Sequence, residues 1–158
     1  MKLLSVDPGL LHTGFAILER DENTTKLLHV EVLHLKQKHS LPKRLYDIYF
    51  KLFEVIHENH ITDLAIETPF LGRNAGTFIK LGYVRGLLYL LAEIHGLKLH
   101  EYSPQQIKKT ITGSGSSSKD EVRDRVIALF NAKHLPRQYD MSDAIAVGLC
   151  TIWQEYKR

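Results

Sequence analysis

The chain has 158 residues, 44% of them hydrophobic and 25% charged, with a formal net charge of +3 and a pI near 8.9. Such figures describe one ordinary globular domain over residues 1–158, too weakly basic to demand a polyanionic partner on charge alone. Arg85 and Glu93 interrupt the best candidate for a membrane span, no signal-peptide pattern opens the chain, and a lone Cys150 excludes an intrachain disulfide framework. A cytoplasmic protein is expected.

Leu3-Leu4-Ser5-Val6 reads as a strand that runs into Asp7-Pro8-Gly9, an acid followed by a turn. Thr13 to Leu18 and Lys26 to Leu33 read as two more strands, and their short connections make an antiparallel meander. From about Pro42 the period changes: Leu41, Leu45, Ile48, Leu52 and Val55 recur at three and four, giving an amphipathic helix that ends between His57 and His60. The next strand, Leu64-Ala65-Ile66-Glu67, again ends on an acid before Thr68-Pro69. The longest helix is expected from Asn74 to His95, with two apolar stripes. One holds Ala75, Ile79, Gly82, Gly86, Leu90 and Ile94; the other holds Leu81, Val84, Leu88 and Leu91. One stripe covers the sheet, and the other needs a second helix or a second subunit. The two glycines, which would let a backbone come close, favour a homodimer seam.

Leu97 to Tyr102 alternates as a fifth strand, and Ser103-Pro104 caps a short helix through Lys108 and Lys109. Gly113 to Ser118 is the only low-complexity run and reads as a mobile loop. Ser118 to Glu121 has capping-box spacing ahead of a helix with Val122, Val126, Leu129 and Phe130 on its apolar face. The last helix runs from about Asp140 to Tyr156. The order of elements makes an α/β sheet of mixed direction flanked by helices, with the acids after the first and fourth strands at neighbouring strand ends.

Buried strands seldom end on carboxylates, because an unpaired buried charge is costly. Asp140 and Asp143 stand three apart at the head of an apolar helix, hence on one face. Asp7, Glu67, Asp140 and Asp143 thus read as one acidic pocket. Carboxylate oxygens suit Mg²⁺, and two such ions support phosphodiester hydrolysis, so the pattern points to a metal-dependent nuclease. Lys108 and Lys119 flank the Gly/Ser loop, where they would neutralise phosphate. Phe70 is placed to stack on or wedge between bases, and Arg73, Asn74, Lys80 and Arg85 are candidate phosphate contacts. The nine histidines show no zinc-ligand spacing and read as structural or surface residues.

With these residues in hand, the chain resembles the RuvC family of bacterial crossover junction endodeoxyribonucleases along nearly its whole length. The resemblance is carried by Val6-Asp7-Pro8-Gly9 with Thr13-Gly14, Ala65-Ile66-Glu67 with Phe70, Arg73-Asn74-Ala75, and Lys80-Leu81-Gly82 with Arg85-Gly86. It continues through Gln106-Ile107-Lys108-Lys109, Gly113-Ser114-Gly115, Lys119, and Asp140 to Ala146. It implies a ribonuclease H-like fold with a five-stranded sheet, and a homodimer that makes paired symmetric nicks in four-way DNA junctions (Holliday junctions) during recombination and repair. Two Mg²⁺ ions per site, replaceable by Mn²⁺, would be held by the four acids. Lys108 and Lys119 would take a catalytic or phosphate-contacting role, Phe70 the junction-stacking one, and Lys109, Ser114 and Ser116 would join the DNA contacts. A branch-migration motor is the implied partner, although no separate motif marks it. Thr68-Pro69 and Tyr83 depart from the family pattern, which bears on DNA contacts and not on the metal site.

Other readings start from the same residues. Asp7-Pro8-Gly9 with Thr13-Gly14 is similar to the first phosphate loop of actin-like ATPases and sugar kinases, but 158 residues leave little room for that superfamily's second domain. A ribonuclease H-like nuclease acting on RNA or another branched nucleic acid uses the same metal chemistry. A non-catalytic junction-binding protein would need a broken acid set, and here the set is intact.

Overall fold

The computed structural model describes residues 1–22, 24–68, 75–130 and 139–156. Five strands and five helices follow one another as β1 (Lys2–Asp7), β2 (His12–Arg20), β3 (Thr25–His34), α1 (Leu41–Asn59), β4 (Asp63–Glu67), α2 (Ala75–His95), β5 (Lys98–Tyr102), α3 (Pro104–Thr112), α4 (Lys119–Phe130) and α5 (Tyr139–Glu155). The sheet order is β3-β2-β1-β4-β5, with β2 antiparallel to both β1 and β3, and β4 parallel to both β1 and β5. Crossing from β3 through α1 returns the chain beside β1 and not beside β3, so the two strands that end on acids become neighbours.

Strands β1, β2 and β4 alternate their side chains between two cores. Leu4, Val6, Phe15, Ile17, Leu64 and Ile66 pack against α1 and α2. Leu3, Ala16, Leu18, Ala65 and Tyr102 pack against α3, α4 and α5 on the opposite face. Burying such side chains contributes roughly 1.5–3 kcal/mol each, which fixes the register: a slip by one residue would exchange the two faces. Helix α5 is buried from Ala144 to Ile152, as expected of a helix enclosed by sheet and helices together.

Local signals set the boundaries. Ser40, not recognised in the sequence, caps α1 by accepting from Lys43 N, and His60 closes it at a left-handed φ of 52°. Ser103 and Gln106 form a capping box on α3. Ser118 and Glu121 form the expected one on α4, with Ser118 N donating to Glu121 Oε2 at 2.6 Å and Glu121 N to Ser118 Oγ at 3.2 Å. The Gly113–Ser118 run is hydrogen-bonded along its length: Thr112 Oγ1 donates to Ser117 Oγ at 2.8 Å, and the Ser114 and Ser116 hydroxyls lie 2.9 Å apart. The loop expected to be mobile is a compact turn that starts from Gly113 at a φ of 90°.

On α2, Val84, Leu88, Leu91 and Ala92 face the sheet. Ile79, Leu90 and Ile94 are each more than half exposed, as is Tyr83. Among the described residues, no atom would lie within 4 Å of a Cβ added at Gly82 or Gly86. The described residues therefore offer no intrachain helix to cover that stripe.

Candidate active site

Strands β1 and β4 run parallel with Val6 opposite Ile66, so Asp7 and Glu67 leave the sheet at the same level on adjacent strands. Asp7 also pairs across to Gly14 on β2. A Cβ at Gly14 would collide with the backbone carbonyl of Asp140, so only glycine lets the head of α5 lie this close to the strand beside Asp7. Further along the same helix, a Cβ at Gly148 would meet Leu18 Cδ1 at 2.5 Å and Ser5 Oγ at 2.8 Å. Two glycines thus seat α5 on the sheet and deliver Asp140 and Asp143 to the end where β1 and β4 finish. The turn after Asp7 is held by Thr13 Oγ1 donating to Gly9 O at 2.8 Å.

The four acids feel one another. Asp7 keeps some solvent-exposed surface yet sits deep among protein atoms, and its pKa is raised well above the usual carboxylate value. Burial is the largest cause, followed by the charges of Glu67 and Asp143; Lys119 opposes them, and Asp140 adds to the rise. Glu67 is raised from 4.5 to about 7, first by burial and then by Asp143, against the pull of Lys119 and Lys108. Lys119 Nζ donates to Asp143 Oδ2 at 2.7 Å. Burial alone would lower the Lys119 pKa, but that hydrogen bond and the fields of Asp143, Asp7 and Glu67 raise it. Lys108, from α3, and Lys119, from α4, line a cavity of about 280 Å³ together with Glu67, Asp143, Pro104 and Ile107. A larger hollow of about 800 Å³, bordered by Thr110, Glu121, Asp124, Arg125 and Trp153, lies apart from these acids. Glu67, Asp143 and both lysines line the smaller one.

The donor set fits a hard divalent cation: it is all carboxylate, partly desolvated, and carries more negative charge than the two lysines offset. Among the described residues, no three His, Cys, Asp or Glu side chains close on a single point, and the Lys119 ammonium holds one of the carboxylates.

The sequence-predicted nucleic-acid contacts divide. Lys109, Ser114 and Ser116 are exposed, and Lys109 and Ser116 border one groove with Ser103, Gln105 and Gln106. Lys80 is exposed on α2. Arg85 is engaged within the chain, at the surface: its Nη2 donates to Glu101 Oε1 on β5 at 2.6 Å, and Tyr89 OH donates to the same oxygen at 2.6 Å. Phe70, Arg73 and Asn74 lie outside the described residues. Of the histidines, His100 pairs with Asp63 at 2.9 Å in the interior and His12 meets His34 at 3.0 Å on the surface. Tyr139, which no local sequence signal marks, donates its hydroxyl to Asp120 Oδ1 at 2.8 Å beside the lysine site.

A mixed sheet in this order, with carboxylates at the ends of two central neighbours and at the head of the helix laid over them, defines a ribonuclease H-like fold. Comparison with known proteins makes the family specific. The family model described as crossover junction endodeoxyribonuclease RuvC matches residues 3–151. This chain belongs to the RuvC family. It is 36% identical to the crossover junction endodeoxyribonuclease RuvC of Chlorobium phaeobacteroides, over 96% of this chain and 81% of that one. It is 35% identical to the Finegoldia magna protein of the same name, over 97% and 93%. Among solved structures it is similar to T. thermophilus RuvC in complex with Holliday junction substrate, with a TM-score of 0.91 and 26% identity over 99% of this chain and 96% of that one. The yeast mitochondrial Holliday junction resolvase shares the fold, with a TM-score of 0.68 at 14% identity over 98% of this chain and 81% of that one. Among the described residues no helix is long and apolar enough to cross a membrane.

Proposed function

We propose that this chain is a Holliday-junction-resolving endonuclease that cuts phosphodiester bonds in four-way DNA. The observation that carries this is the gathering of Asp7, Glu67, Asp140 and Asp143 at one sheet end, with Lys119 bonded to Asp143 and Lys108 on the same cavity, in a chain of this family. The four carboxylates would hold divalent cations, two Mg²⁺ per site with Mn²⁺ able to substitute; when bound, such ions activate the attacking water and stabilise the leaving oxygen. The chain's own residues do the rest. Partial burial of Asp7 at the strand ends strips water from part of its carboxylate's surroundings. Gly14 lets α5 hold Asp140 beside it. Lys108 and Lys119 supply positive charge where a phosphodiester enters, and the raised pKa of Lys119 keeps its ammonium charged throughout the neutral range.

The exposed α2 stripe of Ile79, Leu90 and Ile94 around two open glycines supports a homodimer, because apolar area of that kind is rarely left in water. Two sites related by a twofold axis would then make two symmetric nicks. A single catalytic domain, a cytoplasmic setting and a branch-migration motor that presents the junction complete this reading. Lys109, Ser114, Ser116 and Lys80, being exposed, are available for phosphate contacts, with Phe70, Arg73 and Asn74 as further DNA contacts. Arg85 would have to leave Glu101 to reach DNA.

The direct test is Asp7→Asn. The variant should bind a four-way junction within about twofold of wild type while its cleavage falls by about two to three orders of magnitude, roughly the loss expected when a charge-stabilising group leaves a catalytic site. Wild-type cutting by this variant would remove Asp7 from the chemistry.

A further inference from the structure

Lys119 presents a problem that the proposed chemistry does not solve. Its side chain is 63% exposed, on a four-carbon stem, and its hydrogen-bond partner is Asp143, a carboxylate assigned above to the cation site. Once Asp143 serves a cation, its bond to Lys119 is in competition, and a free lysine stem would sample many rotamers away from the phosphate.

The structure supplies a second hold. Tyr139 begins α5, immediately before Asp140, and its ring lies under the Lys119 ammonium, with Nζ 5.8 Å from the ring centroid. The ring is itself held. Its hydroxyl donates to Asp120 Oδ1 at 2.8 Å, and Asp120 is bound at the same oxygen by Arg123 Nη1 at 2.7 Å. Arg123 also places its guanidinium 5.4 Å from the Tyr139 centroid and anchors its Nη2 on Asp124 at 2.9 Å. Both cation distances fall within the range in which an aromatic face attracts a positive charge. Lys119, Asp120 and Arg123 are all on α4, whereas Tyr139, Asp140 and Asp143 are on α5. A single ring therefore ties the helix that carries the lysine to the helix that carries two of the acids.

We infer that Tyr139 is a positioning residue that keeps the Lys119 ammonium at the acidic site when Asp143 turns to other work. This rests on the reading of Lys119 as the phosphate-neutralising group. Tyr139 touches neither the phosphate nor the four carboxylates in this role. It acts through Lys119, with its own orientation set by Asp120 and Arg123. Tyr139 is 37% exposed, so replacing it leaves the cores intact.

The test is a double-mutant cycle of Tyr139→Leu with Lys119→Ala, with Tyr139→Phe and Tyr139→Trp as controls that keep a ring. Single-turnover cleavage of a four-way junction is measured with Mg²⁺, and junction affinity is measured without divalent ions. Tyr139→Leu should slow cleavage about 10-fold, Tyr139→Phe about 3-fold, and neither should change affinity more than about twofold, magnitudes expected for an exposed cation–π contact and a charged hydrogen bond. In the Lys119→Ala background, Tyr139→Leu should change the residual rate by less than about twofold. In the metal-free protein, acetylation of Lys119 by an amine-reactive reagent, followed by mass spectrometry, should speed up about threefold in Tyr139→Leu and return toward the wild-type rate in Tyr139→Trp. Equal slowing with and without Lys119, a loss expressed in affinity, or unchanged acetylation would each overturn the inference. Wild-type protein that fails to cut any junction would instead defeat the proposed function, and the acetylation comparison would still decide whether the ring holds the lysine.

Discussion

Replacing Glu67 by Gln should make the metal-free protein more stable at pH 8 while abolishing cleavage. The folded chain raises the Glu67 pKa from 4.5 to about 7, because burial and the charge of Asp143 disfavour its ionised form. A carboxyl whose folded pKa lies above its unfolded value binds its proton more tightly when folded. Its favourable contribution is complete below about 4.5 and is lost as pH rises through about 7. At about 1.4 kcal/mol per pH unit, the gap between 4.5 and about 7 corresponds to about 3 kcal/mol of destabilisation at pH 8. Water reaching a partly exposed carboxylate trims this to about 1–3 kcal/mol. Gln has a similar shape and no charge, and it also removes one of the charges that raise Asp7. For a chain of 158 residues the gain should raise the melting midpoint by about 3–10 °C at pH 8 and by little at pH 5. Thermal unfolding with EDTA at both values measures it. Adding Mg²⁺ at pH 8 should then stabilise the wild type more than the variant, since a bound ion favours the state that holds it. A variant less stable than wild type at pH 8, or one shifted equally at both values, would refute the electrostatic account of this site.

Two further outcomes follow from the geometry, and the Asp7→Asn test above belongs with them. Gly14→Ala should displace the head of α5, because the added methyl meets the Asp140 carbonyl. Cleavage should fall about 100-fold, with a stability loss of about 1–3 kcal/mol read by urea unfolding, and unchanged cleavage would contradict the seating of Asp140 by Gly14. Ile94→Glu, on the exposed α2 stripe, should leave monomer stability within about 0.5 kcal/mol and convert a sedimenting dimer to monomer. Wild-type protein that sediments as a monomer at tens of micromolar would remove the seam.

Much of the site was legible because its signals are local. An apolar strand that stops on an acid is visible at Asp7 and again at Glu67, and the three-residue step from Asp140 to Asp143 places both on one helical face whatever the rest of the chain does. The helix cap at Ser103 and the capping box at Ser118 are equally local. What escaped notice depends on partners far along the chain. Arg85 read as a phosphate contact because its charge is obvious, while its partner Glu101 lies 16 residues away across a helix–strand boundary. Tyr139 carries no local signal because its partners, Lys119, Asp120 and Arg123, belong to a different helix. The run from Gly113 to Ser118 looked mobile by composition, but serine hydroxyls that can bond one another turn the same composition into an ordered turn. The two stripes of α2 could be separated only by finding which one the sheet covers.

The measurement that tests the central claim most directly is cleavage with Mg²⁺ across a panel of an immobile four-way DNA junction, a mobile junction, linear duplex and an RNA–DNA hybrid, with products mapped on every strand. Paired nicks at symmetric positions in four-way DNA, with duplex and hybrid left intact, are the predicted result. Cutting of the hybrid in preference to the junction, or tight junction binding with no cutting of any substrate, would contradict it.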